Sequence, residues 1–160
     1  MRPPPASRAL AAVRRILAGI PPSRRKVAMP VYVESVTHPS PQDLTDLAKI
    51  YADAPEWLLT PYASAEALIA AALADGSLIA GRFNDRLLGA ALLQRGDDAW
   101  RLSHLCVRKL TRKRGVGRRL LEETQRQASE AGKPLRLAAP TGHLEASALA
   151  ARTHLPLDSL

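Results

Sequence analysis

The sequence predicts an α/β domain, a mixed sheet with helices on both faces, and three observations carry that expectation. Between Trp100 and Leu121, WRLSHLCVRKLTRKRGVGRRLL, the apolar period changes from two to 3.6 across a basic turn with two glycines, as where a strand leads into a helix. Two apolar runs, Leu78 to Phe83 and Leu87 to Leu93, are joined through Asn84-Asp85, residues that tolerate positive φ in a tight hairpin. Ahead of them lie two helical stretches, each introduced by a serine suited to an N-cap, Ser40 and Ser64.

Taken in order, Val31-Tyr32-Val33 is a short β-branched strand candidate. The first helix follows Ser40, with Pro41 at its first position and Asp43 in its first turn; Leu44, Leu47, Ile50 and Tyr51 form the stripe expected to face the core. Pro55 lies just past its end. The second helix runs from Ala65 to Asp75 with Leu68, Ile69 and Leu73 inward, and Gly76 offers a left-handed stop. Trp57, Leu58 and Leu59, between the two, read as core or lid residues. After the hairpin, Arg95-Gly96-Asp97-Asp98 turns the chain into the Trp100 strand and completes a three-stranded antiparallel meander. The next helix sets Val116, Leu120, Leu121, Thr124 and Ala128 at helical spacing. Gly132 and Pro134 precede a strand at Leu135 to Ala139, and Glu145 to Arg152 is an Ala-rich final helix. A closing strand is confined to Leu155–Leu160 or missing.

A chain of 160 residues is one domain's worth, enough to bury about two thirds of its unfolded surface. The net charge of +8 is not evenly spread. Arg2, Arg8, Arg14, Arg15, Arg24, Arg25 and Lys26 fall in residues 1–28, which hold no acid, so the remainder carries only +1. With five of the thirteen prolines also there, residues 1–28 read as a basic Pro/Arg-rich extension, disordered or left by a misassigned start, and 29–160 as the folded domain. The apolar run from Ala9 to Ile20 is too short and too charged for a signal or membrane segment. One cysteine, Cys106, excludes an internal disulfide and suits a reducing cytoplasm. No metal site and no membrane are expected. The basic run from Arg112 to Arg119 lacks interleaved aromatics, which argues against nucleic acid.

The turn itself is an anion site by its chemistry. A helix N-terminus leaves backbone N–H groups without partners and carries positive dipole charge, and glycines let backbone approach a pyrophosphate closely. Walker A needs four residues between its glycines and then Lys-Ser/Thr, and the dinucleotide fingerprint needs three glycines; neither is present. The pattern that fits is Arg-x-x-Gly-x-Gly at Arg112, Gly115 and Gly117, preceded by Leu105-x-Val107, and it resembles the coenzyme-A signature of the Gcn5-related N-acetyltransferase (GNAT) superfamily. Over roughly Val31 to Leu157, the stretches PSPQDLTDLAKIY, LIAGRFNDRLLGAALL and LCVRKLTRKRGVGRRLLEE resemble more narrowly the PanZ (PanM) family of aspartate 1-decarboxylase maturation factors.

That resemblance implies acetyl-CoA, or CoA, as ligand, held by Leu105, Val107, Arg112, Lys113, Arg114, Gly115, Val116, Gly117 and Arg118. It implies a regulator that, with acetyl-CoA bound, grips the pyruvoyl-dependent aspartate 1-decarboxylase through Arg82, Phe83, Asn84 and Arg86, assisting proenzyme maturation and restraining activity. The alternative is a working N-acetyltransferase acting on a small amine or protein amino group. Transfer needs a base and an acid; the superfamily's usual acid, a tyrosine on the last helix, is absent, since Tyr32, Tyr51 and Tyr62 all precede the phosphate turn. His104 is the one candidate base, on the strand where the superfamily often has a carboxylate, and Cys106 reads as a small buried residue.

Overall fold

The computed structural model describes residues 30–160. The extension assigned to residues 1–28, and the domain start at Met29, lie outside the described residues. The elements are β1 (Tyr32–Ser35), α1 (Pro41–Ala52), α2 (Glu56–Leu59), α3 (Ala65–Asp75), β2 (Leu78–Phe83), β3 (Arg86–Arg95), β4 (Trp100–Val107), a 3-10 turn (Lys109–Thr111), α4 (Val116–Glu130), β5 (Leu135–Ala139), α5 (Leu144–Thr153) and β6 (Leu157–Ser159). The strands form one sheet in chain order, antiparallel from β1 to β4, with β5 parallel to β4 and β6 parallel to β5. The expected α/β fold is therefore present, with a closing strand of only three residues.

Helices cover both faces. Leu47, Ile50 and Tyr51 of α1 and Leu68 and Ala72 of α3 pack on one side of the sheet against Leu78, Ala80, Ala90 and Leu92. Val116, Leu120 and Ala128 of α4 and Ala150 of α5 pack on the other, against Ile79, Ala91, Leu93 and Leu102. Consecutive residues of β2 and β3 thus face different cores, which is why both strands read as continuous apolar runs.

Local chemistry explains the boundaries. Ser40 caps α1 by accepting the Asp43 N–H at 3.0 Å, and the Asp43 carboxylate accepts the Ser40 N–H at 3.2 Å, a reciprocal capping box. Ser64 caps α3 by accepting the Ala67 N–H at 3.1 Å, without a reciprocal acid, and Gly76 ends that helix at φ +76. Asn84 and Asp85 both have positive φ, the conformation a two-residue hairpin turn demands.

Two expectations need correction. The first strand is Tyr32–Ser35, with Val31 buried just ahead of it, so the β-branched run anchors the strand without filling it. Leu44 is 43% exposed, while Asp43 and Asp46 are buried, because arginines from the hairpin meet that side of α1. In α3, Leu73 packs partly buried against the same core as Leu68 and Ile69, and Ala72 beside it is fully buried.

Two glycines set the position of α4. Gly81 and Gly89 face one another across β2 and β3. A Cβ on Gly89 would lie 2.9 Å from Val116 Cγ1, and one on Gly81 would lie 2.9 Å from Val31 Cγ1 and 3.5 Å from the same Val116 atom. The first turn of α4 therefore sinks into a groove where side chains are missing. Val116 and Leu120 are fully buried there, each worth about 1.5–3 kcal/mol of apolar burial.

Candidate functional site

The parallel edge between β4 and β5 opens after three residues. Trp100, Arg101 and Leu102 pair with Leu135, Arg136 and Leu137, and beyond that point the two strands have no further pairing. A cleft of about 690 Å³ fills the split, walled by Ser103–Val107 of β4, Ala138 and Ala139 of β5, the Asp53–Leu58 segment, and Glu145, Ala146 and Leu149 of α5. A second cleft of about 570 Å³ runs along the basic turn and the start of α4. The two share Leu105, Val107, Arg112, Leu149 and Arg152 as lining, so they form one trough from the split sheet to the helix N-terminus.

A bulge in β4 shapes the trough. The β3 register passes from Leu92 opposite Ser103 to Ala90 opposite Cys106, so β4 carries an extra residue, and His104 takes φ +55. The His104 carbonyl, turned off the ladder, accepts the buried Tyr51 hydroxyl at 2.9 Å. Its ring is held at both nitrogens: Nε2 donates to the Thr60 carbonyl at 2.8 Å, and that tautomer leaves Nδ1 to accept the Ser103 hydroxyl at 2.7 Å. Burial holds the imidazole pKa below its usual value, against the opposing bond to Thr60. The ring lines the cleft but has neither nitrogen free, and its geometry is that of a positioning residue. Cys106 is buried with its thiol donating to the Ile50 carbonyl at 3.3 Å; burial pushes that thiol's pKa up, away from thiolate chemistry, despite the nearby Arg112.

At the other end, α4 begins on Gly115 at φ +87 with no side-chain cap and no acid in the first turn. Its leading N–H groups are unanswered by side chains, and the added dipole makes this the natural seat for an anion. Leu105, Val107, Arg112, Lys113, Gly115, Val116, Gly117 and Arg118 all line this end of the trough; Arg114 does not. Arg112 is not free to swing. Its Nε donates to the Val107 carbonyl at 3.2 Å and its Nη2 to the Asp53 carbonyl at 3.0 Å, while the Asp53 carboxylate accepts the Lys109 N–H at 3.0 Å. Asp53, the C-cap of α1, thus ties the basic turn to the opposite face of the sheet. Sequence reasoning missed Asp53 because its partners are 56 and 59 positions away. It also missed Arg152, whose helical spacing three residues after Leu149 was the available signal.

The hairpin residues divide. Asn84 is exposed at the tip and Phe83 is half-buried against the second core. Arg82 donates to Glu34 at 2.7 and 2.9 Å and to Asp43 at 3.0 and 3.1 Å; Arg86 donates to the buried Asp46 at 2.7 Å. These arginines pin the hairpin to α1, where their guanidinium groups are paired with internal carboxylates. The Arg82 guanidinium holds the Asp43 carboxyl below the usual carboxylate range against the effect of burial.

Residues 30–157 match the family described as an acetyltransferase (GNAT) domain, PanZ. The chain is 36% identical over 98 residues to the PanD regulatory factor of Salmonella typhimurium, covering 61% of this chain and 68% of that one. N-acetylglutamate synthase from Neisseria gonorrhoeae, complexed with coenzyme A and N-acetyl-glutamate, superposes with a TM-score of 0.55 at 19% identity, over 76% of this chain and 27% of that chain. This chain therefore spans about a quarter of the gonococcal enzyme. A GNAT family acetyltransferase from Elizabethkingia anophelis with acetyl-CoA bound gives 0.53 at 19% identity, over 78% and 73%. At such identities the structural likeness shows the fold. Among the described residues, no helix is long and apolar enough to cross a membrane.

Proposed function

The chain belongs to the PanZ family of GNAT domains, and on that footing we propose that it is an acetyl-CoA-dependent regulator of the pyruvoyl-dependent aspartate 1-decarboxylase. The observation that carries this reading is the continuous trough from the β4/β5 split to the uncapped N-terminus of α4. Its two ends suit the two ends of acetyl-CoA: unpaired backbone N–H groups for the pyrophosphate, and an apolar slot between strands for the pantetheine arm. Acetyl-CoA would supply a thioester when bound, and CoA only a thiol. This chain's own residues hold and orient it: Gly115 gives the turn its left-handed step, Gly117 keeps the approach open, and Arg112, clamped by two carbonyls, fixes the loop. The regulated partner follows from the family and from the Salmonella relative's description as a PanD regulatory factor.

Regulation is favoured over transfer by the chemistry of the trough. The helix that flanks it, LEASALAART, carries no tyrosine, and both His104 nitrogens are engaged. The hairpin tip at Asn84 is the proposed partner contact, with Arg82 and Arg86 holding the tip in shape. Titration calorimetry of the purified protein with acetyl-CoA, followed by pull-down of the decarboxylase with and without that ligand, tests the reading. Absence of acetyl-CoA binding, or capture of the decarboxylase indifferent to it, overturns it. Release of free thiol with an amine panel would instead establish a transferase.

A further inference from the structure

The cleft has a cover that neither the anion turn nor the hairpin explains. The short helix α2 lies at the end of the trough away from the α4 N-terminus, and Trp57 and Leu58 line the cleft there. The segment is fastened to both walls of the split. On the β4 side, the Thr60 carbonyl accepts His104 Nε2 at 2.8 Å. On the α5 side, the Trp57 ring stacks on His143, the N-cap residue of α5, with centroids 4.3 Å apart and planes 15° from parallel. Glu56 to Thr60 therefore bridges the opening between two histidines, one from each side of the sheet's split. Neither histidine is needed for the helix or strand it belongs to: His143 makes no side-chain cap, and His104 sits at the bulge.

We propose that this strap reads the acyl group, with Trp57 and His143 as the specificity-determining pair that distinguishes an acyl thioester from the free thiol. The inference rests on the acetyl-CoA reading above and deepens it. A ligand anchored by phosphates at α4 and laid along β4 points its sulfur end toward Ala54, Pro55, Trp57 and Leu58. An acetyl methyl buried against the Trp57 face gains contact area that a bare thiol lacks, worth about a fourfold preference.

The test compares acetyl-CoA and CoA by calorimetry on the full chain and on Trp57→Ala, His143→Ala and His143→Phe. The full chain should bind acetyl-CoA several-fold more tightly than CoA. Trp57→Ala and His143→Ala should bring that ratio close to one by weakening acetyl-CoA binding several-fold more than CoA binding, and His143→Phe, which can still stack, should restore it. An unchanged ratio in both alanine variants, or equal affinities in the unaltered chain, overturns the inference. Failure of the unaltered chain to bind either ligand is a different result, since it removes the cofactor reading itself. Thermal melts accompany each variant, so that a loss of fold is told apart from a loss of discrimination; if either alanine variant unfolds, His143→Leu, apolar but unable to stack as an aromatic, replaces it and must also bring the ratio toward one.

Discussion

Asp46 is fully buried in α1, and Arg86 grips its carboxylate: Nη2 donates to Oδ1 at 2.7 Å and Nε reaches both oxygens at 3.0 and 3.1 Å. The Leu87 N–H and the Gln42 amide donate to the same group at 3.1 and 2.9 Å. Burial alone would push this carboxyl's pKa up, and Arg86, Leu87 and Gln42 together outweigh it. The two halves of the pair are not equivalent. Arg86 is 46% exposed and can turn to water when its partner is lost, whereas Asp46 cannot. Arg86→Ala, which strands the buried carboxylate, should therefore be the more destabilising of the two, while Asp46→Ala, which leaves the Leu87 N–H unanswered, should cost about 1–2 kcal/mol. Denaturant unfolding of both variants checks the order, which a reversed ranking would refute.

Stability should fall with acid in two steps. His104 has a depressed pKa in the fold, so below about 6.5 the unfolded chain takes up a proton that the folded ring resists, and stability declines as pH falls through that window. Asp43, Asp46, Glu123 and Asp158 have depressed pKa values, Asp158 falling to about 2 beside Arg136 and Arg101; their contribution is complete above about pH 5 and is lost as pH drops through the folded values. Melting temperature measured across pH 3 to 8 should show both declines, and His104→Asn, which accepts positive φ, should remove the upper one.

The two glycines of the anion turn should fail differently. Gly115 sits at φ +87, so Gly115→Ala strains the backbone and should lower stability by about 1 kcal/mol together with acetyl-CoA affinity. A Cβ on Gly117 meets only Val107 Cγ2 at an ordinary 3.5 Å. Gly117→Asp should then keep its melting temperature and lose acetyl-CoA binding, because a carboxylate would face the phosphates. Wild-type affinity in Gly117→Asp would sink the cofactor assignment.

Asn84 is best tested by glycine. It holds φ +46 at the hairpin tip, so alanine would disturb the turn as well as delete the amide. Asn84→Gly keeps the turn and should leave acetyl-CoA affinity intact while weakening decarboxylase capture by about 1 kcal/mol, one lost hydrogen bond. Equal capture by the variant would move the partner surface elsewhere.

Sequence by itself determined the elements and the anion turn, because those rest on local rules: Ser40 and Ser64 as caps, Asn84-Asp85 at positive φ, and Gly115 starting α4 after an apolar strand. What it could not decide were contacts between residues far apart in the chain. The side of α1 that carries Asp43 and Asp46 reads as solvent until arginines 39 and 40 positions later supply counter-charges, so the apolar stripe by itself points Leu44 inward. The glycine pair at Gly81 and Gly89 acquires meaning only when two strands and a helix meet, and the Trp57–His143 stack only when α2 and α5 do. The split between β4 and β5 is likewise a property of where pairing stops, which no single strand's composition encodes, and it is that split that turns a basic turn into one end of a trough.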